Sequence, residues 1–245
     1  VGQTVIQKII AAHAGLPAVS SGEIVWIDLD LRSARDFGGA NVVGHLRRHY
    51  ASRPVADPAR TAFTFDCVVP AKTIPYADNQ HVCRSFAREH GVQLFDVDAG
   101  IGSHVMLERG LALPGATVVG TDSHLNLLGA VGCFGQGMGD ADIAFAFATG
   151  RTWFEVPETI RVDVRGRLRP PATAKDLTLA LVGQLGSKGA LGRAVELYGE
   201  AVDGLDLAGR ITLCSMATEM GAIAALIRPD RAVLDYVAAR SGAAP

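Results

Sequence analysis

The chain has 245 residues, 49% of them apolar, and a formal charge of −2. That is enough to bury a core as one large domain or two smaller ones, and it excludes a disordered chain. Basic and acidic residues are interspersed, with short arginine groups at 47, 48 and 53 and within 161–169, so neither nucleic acid nor an anionic membrane is expected as a partner.

Taken in order, Thr4 to Ala12 carries Val5, Ile9 and Ile10 at helical spacing, and Gly15 followed by Pro17 predicts its end. These first residues are amphipathic rather than basic and then apolar, so no signal peptide is expected. No apolar run reaches about eighteen residues, so no transmembrane helix is expected and the cytoplasm is the default compartment. Ile24 to Leu31 alternates aliphatic and acidic side chains, which predicts a strand, and Arg35-Asp36 follows in a glycine-rich loop. Residues 53–60 hold two prolines and read as a surface loop. Ala62 to Val69 predicts a second strand ending at Asp66-Cys67.

Asp78 to His90 predicts a helix with Gly91 as its C-cap, since glycine accepts the left-handed conformation there. Val92 to Val97 reads as a strand and Gly100 to His104 as a loop. From Asp140 a helix rich in small residues runs to Gly150. Pro157 marks an expected boundary between units 1–157 and 158–245. Beyond it, Thr159 to Val164 predicts a strand, Arg165-Gly166 a hairpin-type turn and Arg167-Leu168 the return. Helices are expected over Lys175 to Leu185, Leu207 to Glu219 and Asp230 to Arg240. Repeated strand–helix alternation implies an α/β fold with a largely parallel sheet.

The chain is organised around Pro114 to His124 and the glycine-rich run from Leu128 to Gly139. Val118-Val119 is a short buried strand that delivers Asp122, Ser123 and His124 in a row. A carboxylate, a hydroxyl and an imidazole together hold a small polar substrate and move its protons. The same residues also suit a turn whose Asp and Ser cap the next helix. Cys67, Cys83, Cys133 and Cys214 show no C-x-x-C spacing, so neither a zinc site nor a cluster site is legible, and Cys83, Cys133 and Cys214 read as small buried residues.

The wording GATVVGTDSHLNLLGAVGCFGQGMGDADIAFAFATGRTWFEVPETIRV from Gly115 resembles the aconitase superfamily, and most nearly the large subunits of 3-isopropylmalate dehydratase and homoaconitase. GQTVIQKIIAAHAG at 2–15, FDCVVPAKT at 65–73, AKD at 174–176, ELYG at 196–199 and RITLCSMATEMGA at 210–222 extend the likeness in the family's order. The resemblance implies aconitase-like α/β/α domains, the first two of the family, and a hydro-lyase acting on a small hydroxy di- or tricarboxylate. It implies a pairing of His104 with Asp122 and of His124 with Glu219 for acid–base work. It also implies a third acid at Asp66 and residue 67, and substrate contacts at Ser123, Ser215, Arg35 and Asp36.

The departures from the family are specific. The third pair reads Asp66-Cys67, with a thiol in place of an imidazole, and a thiol is a weak donor with an ordinary pKa of about 8.5. Arg35 stands where relatives carry the first member of a His-Asp or similar pair, Ser215 where they carry asparagine, and Leu125 where they often carry threonine. The resemblance implies a [4Fe–4S] cluster, whose cysteines come later in the family's chains and match none of the four here. Three readings stay open. The chain is the front part of a cluster-dependent hydro-lyase with a partner subunit carrying the missing domains. Or it is a shortened enzyme using acid–base pairs alone, or one metal ion among His104, Asp122, His124, Glu219 and Cys67. Or it is a non-catalytic relative that binds a carboxylate or a partner.

Overall fold

The computed structural model describes residues 2–242. Helix α1 (Val5–Ala14) opens with a capping box: the Gln7 N–H donates to Thr4 Oγ1 and the Thr4 N–H donates to Gln7 Oε1. It closes at Gly15, which adopts φ 67°. The expected single strand at 24–31 is two strands. β1 (Ile24–Asp28) alternates exposed and buried side chains and pairs antiparallel with β7 (Arg151–Glu155) in a two-stranded ribbon. β2 (Leu31–Arg35), largely buried, enters the main sheet. The apolar alternation belonged to the ribbon, and Leu29-Asp30 carry the chain from one sheet to the other.

The main sheet has five parallel strands in the order β4 (Gln93–Phe95), β3 (Thr61–Thr64), β2, β5 (Thr117–Gly120), β6 (Phe134–Gly137). One face is covered by α2 (Gly39–His49), α3 (Ile74–His90) and α5 (Asp140–Thr149), whose Val42, Val43, Phe86, Ile143 and Phe147 share a core with Phe63 and Val119. The other face packs Leu31 and Val118 against α4 (Gly102–Glu108), the 3₁₀ segment Leu125–Val131 and the C-terminal helix α9 (Arg231–Ser241). Helix α2 was not expected, because its two opening glycines read as loop. They are required by packing: a Cβ on Gly39 would collide with the Cys83 sulfur. The expected loop at 100–104 is in part the first turn of α4.

A second sheet has the parallel order β10 (Ala224–Ile227), β9 (Ala194–Tyr198), β8 (Thr159–Asp163). It packs with α6 (Ala174–Leu185) and α8 (Leu207–Ser215), and a short α7 (Glu200–Asp203) follows β9. The hairpin expected at Arg165-Gly166 does not form. Gly166 turns at φ 80°, but β8 takes β9 as its partner, and residues 167–168 join no strand. The helix expected over 207–219 stops at Ser215, and a 3₁₀ turn (Thr218–Met220) carries Glu219. Among the described residues, no helix is long and apolar enough to cross a membrane. The fold is α/β with largely parallel sheets.

Candidate active site

In the main sheet β2 leads outward to β3 and β4, while β5 leads outward to β6 on the other side. The order therefore reverses between β2 and β5, and the crevice beyond the carboxyl ends of parallel strands at such a reversal is where α/β folds bind ligands. Arg35 is the last residue of β2, Asp66-Cys67 lie just past β3, and Asp122, Ser123 and His124 lie just past β5. The strands thus bring most of the expected residues to one edge.

The Arg35 guanidinium joins two of them. Its Nε donates to Asp66 Oδ1 (2.7 Å) and its NH1 to Asp122 Oδ1 (3.2 Å), and both carboxylates are nearly buried. Burial alone would make this cation easier to deprotonate, but the charges of Asp122 and Asp66 outweigh that and raise its pKa. Asp66 Oδ2 accepts the Gly102 N–H at the start of α4 (2.6 Å). Asp122 Oδ1 also accepts the backbone N–H of His124 (2.9 Å), which fixes the Asp-Ser-His turn.

His124 faces the second sheet. Its Nε2 lies 3.0 Å from Glu219 Oε1 and its Nδ1 lies 3.1 Å from Ser123 Oγ. About two-fifths of each partner in the His124–Glu219 pair is exposed, so the pair contributes little to stability and is open to a ligand. The segments carrying the two partners are tied together beside it: Asn126 Nδ2 donates to Thr218 Oγ1 (2.8 Å), and that hydroxyl donates to the Ser123 carbonyl (2.7 Å).

Several expected roles change. His104 sits in the first turn of α4, but no hydrogen bond joins it to Asp122, and its buried Nδ1 has no partner. Asp122 Oδ1 is instead occupied by Arg35 and by the turn's own N–H. Asp36, expected to touch substrate, is fully buried. Its carboxylate accepts the N–H groups of Asp66, Cys67 and Val68 and the Gln80 side-chain amide, so it shapes the Asp66–Cys67 corner. Ser215 is half-buried at the end of α8 and hydrogen-bonds none of the other candidates. Gln80, Thr121, Asn126 and Thr218 escaped sequence reasoning. Asn126 alone left a legible trace, as the one amide in an otherwise apolar, wholly buried LNLLGAV segment.

The residues present do not fit a metal cluster. Among the described residues no three thiols converge, and Cys83, Cys133 and Cys214 are buried at separate places. Burial pushes the Cys83 thiol up to about 12 and those of Cys133 and Cys214 higher still, against thiolate formation. Nor do His104, Asp122, His124, Glu219 and Cys67 gather as a mononuclear site. Among the described residues, the only ligand-type set whose atoms lie close enough is Asp36, Asp66 and Cys67. There the Asp36 oxygens are already occupied by N–H donors, a guanidinium sits on Asp66, and the Cys67 thiol is held up at about 12 by burial and the two aspartates. A cation would have to displace Arg35.

The sequence model of the aconitase family (aconitate hydratase) matches residues 7–245. The chain is 45% identical over 241 residues to the probable methanogen homoaconitase large subunit of Methanothermobacter thermautotrophicus, covering 96% of this chain and 56% of that protein. It is 42% identical over 240 residues to that organism's probable 3-isopropylmalate dehydratase large subunit, covering 98% of this chain and 57% of the other. It is 39% identical over 241 residues to the 3-isopropylmalate dehydratase large subunit of Aquifex aeolicus, covering 98% and 56%. The chain thus spans a little over half the length of these relatives.

Proposed function

The chain belongs to the aconitase family, and from that premise we propose that it carries the acid–base half of a hydro-lyase acting on a small hydroxy di- or tricarboxylate. The observation that supports this most is the His124–Glu219 pair, built from two sheets and left open at the switch-point edge. Dehydration removes a C–H proton and delivers a proton to the departing hydroxyl. Glu219, accepting from Nε2–H, fixes the ring so that Nδ1 exchanges its proton with the Ser123 hydroxyl or with a ligand oxygen in that place.

The edge is acidic: Asp66, Asp122 and Glu219 stand there against Arg35. Cations that anchor substrate carboxylates are then expected from the part of the relatives that this sequence does not span. Phe37 after β2, Ile74 at the start of α3 and Ile101 just before α4 are exposed, as a surface awaiting that cover would have them. In the family a [4Fe–4S] cluster supplies Lewis acidity, and its ligands would lie in that unspanned part too. The free thiols suit a reducing, cytoplasmic setting. The division of the chain at Pro157, just before β8, belongs to the same proposal.

The test is an anaerobic assay of the chain co-expressed with its neighbouring polypeptides, following formation of the unsaturated acid from hydroxy di- and tricarboxylates. His124→Ala is expected to lower turnover about 10²–10⁴-fold while leaving the melting temperature within a few degrees. Undiminished turnover in that variant would falsify the assignment, and absence of turnover in every combination would favour a carboxylate-binding scaffold.

A further inference from the structure

The Asp66–Cys67 corner is where a third acid is expected, and its partner is the unexpected element. Both carboxylate oxygens are held by groups that do not titrate at working pH: Arg35 Nε donates to Oδ1 at 2.7 Å and the Gly102 N–H donates to Oδ2 at 2.6 Å. The Cys67 sulfur lies 3.5 Å from the same Oδ1 as a neutral donor. Other charged or titratable groups facing the corner are Asp36 after β2, Tyr76 from α3 and Asp122 after β5. Burial and the neighbouring aspartates push the Cys67 thiol up to about 12, even though Arg35 pulls the other way. The Tyr76 phenol is raised as well, by burial first and then by Asp36 and Cys67. A guanidinium does not release its proton at any working pH.

We propose that Arg35 is a positioning residue that has taken over Asp66 from residue 67, so that this corner is a fixed-charge, hydrogen-bonding wall and proton transfer is left to His124. The last clause rests on the hydro-lyase reading; the first does not. Arg35 does this from β2, between β3 and β5, where one side chain spans the carboxylates that follow both neighbours. The departures at 35 and 67 are then a single change: a cation beside Asp66 is kept, but it is moved to another strand and made permanent. It follows that restoring an imidazole at 67 does not rebuild an acid while Arg35 remains, because two cations would compete for one carboxylate.

The experiment is an NMR titration, on the full chain, of the imidazole introduced by Cys67→His. With Arg35 present, its midpoint is expected at or below the ordinary value of about 6.5. In Arg35→Gln/Cys67→His the midpoint should rise by at least about one unit, a tenfold gain in proton affinity. Arg35→Lys/Cys67→His, which keeps a cation at 35, should stay near the low value. Equal midpoints with arginine and glutamine at 35, or a raised midpoint with arginine, would overturn the proposal. Should the glutamine variant not fold, Cys67→His alone decides: a midpoint at or below about 6.5 supports the proposal, and a raised one overturns it. This readout needs no turnover, so its failure is separable from failure of the hydro-lyase reading.

Discussion

Two histidine–carboxylate pairs sit at opposite ends of the same parallel sheet, and their partners give them different uses. At the amino edge, His13 Nδ1 lies 2.8 Å from the Ile9 carbonyl and Nε2 lies 2.7 Å from Asp30 Oδ2. Both ring nitrogens face acceptors, which favours the doubly protonated ring, and the Asp30 hydrogen bond raises its pKa against the opposing effect of burial. Burial would raise the Asp30 carboxyl, but bonds from His13 and Thr117 outweigh that and hold it below its ordinary range. At the carboxyl edge, His124 has a carboxylate on one nitrogen and a hydroxyl on the other, and a hydroxyl donates or accepts as needed. The His13 pair is a latch tying α1 to the strands; the His124 pair is free to pass a proton. Residue type does not separate them, whereas the donor or acceptor character of the second partner does.

The sharpest way to break this contrast is to neutralise each carboxylate in turn. Glu219→Gln is expected to lower turnover about 10²-fold or more and to leave stability within about 0.5 kcal/mol, because the pair is exposed. Asp30→Asn should do the reverse, costing stability while turnover of the folded enzyme holds. Measured kcat and denaturant midpoints for both variants decide the matter, and a Glu219→Gln enzyme that is unstable but active would put the latch at the wrong end.

A second variant tests whether the His124 pair depends on the junction of the two sheets. A Cβ on Gly129, in the 3₁₀ segment behind the site, would overlap the Ala225 carbonyl oxygen of β10. Backbone on backbone leaves no side chain to move aside, so Gly129→Ala is expected to cost about 3 kcal/mol or more in chemical denaturation. A cost under about 1 kcal/mol would mean that the sheets slide apart easily, and that the His124–Glu219 distance is not enforced by packing.

Much of this arrangement was legible from the sequence. The strand carrying Val118-Val119 and the turn that presents Asp122 and His124 are legible because apolar runs and glycine stops mark strand ends well, whereas Glu219 as the partner of His124 is implied only by the family resemblance. What was not legible is how one carboxylate is shared. Nothing in the spacing of Arg35, Asp66 and Asp122 says that a single guanidinium would span two strand ends, and so the expected His104–Asp122 bond was replaced. Helix α2 was hidden because its glycines serve packing against Cys83 and Asp140 rather than a turn. The hairpin at 165–166 failed for a related reason: local turn chemistry was right, but β9, about thirty residues on, offered β8 a buried parallel partner.

The smallest effect expected is also the one that most directly separates the two histidines, because it has a pH signature. His13 has its pKa raised on folding from an ordinary 6.5, so its contribution is complete below about pH 6.5 and is lost as pH rises through the raised folded value. Asp30 is shifted down from 3.8, so its contribution is present above that value and is lost as pH falls through the lowered one. The latch is therefore strongest between these limits. His13→Gln keeps a polar side chain but loses the charge, and should cost about 1–2 kcal/mol at pH 6, a hydrogen bond to a charged group discounted because Asp30 is partly exposed. By pH 9 most of that difference should be gone. Urea midpoints of the two proteins at pH 6 and pH 9 measure it. A difference that does not change with pH would show that His13 acts by packing alone, and the contrast with His124 would then have to rest on exposure rather than on what each ring nitrogen faces.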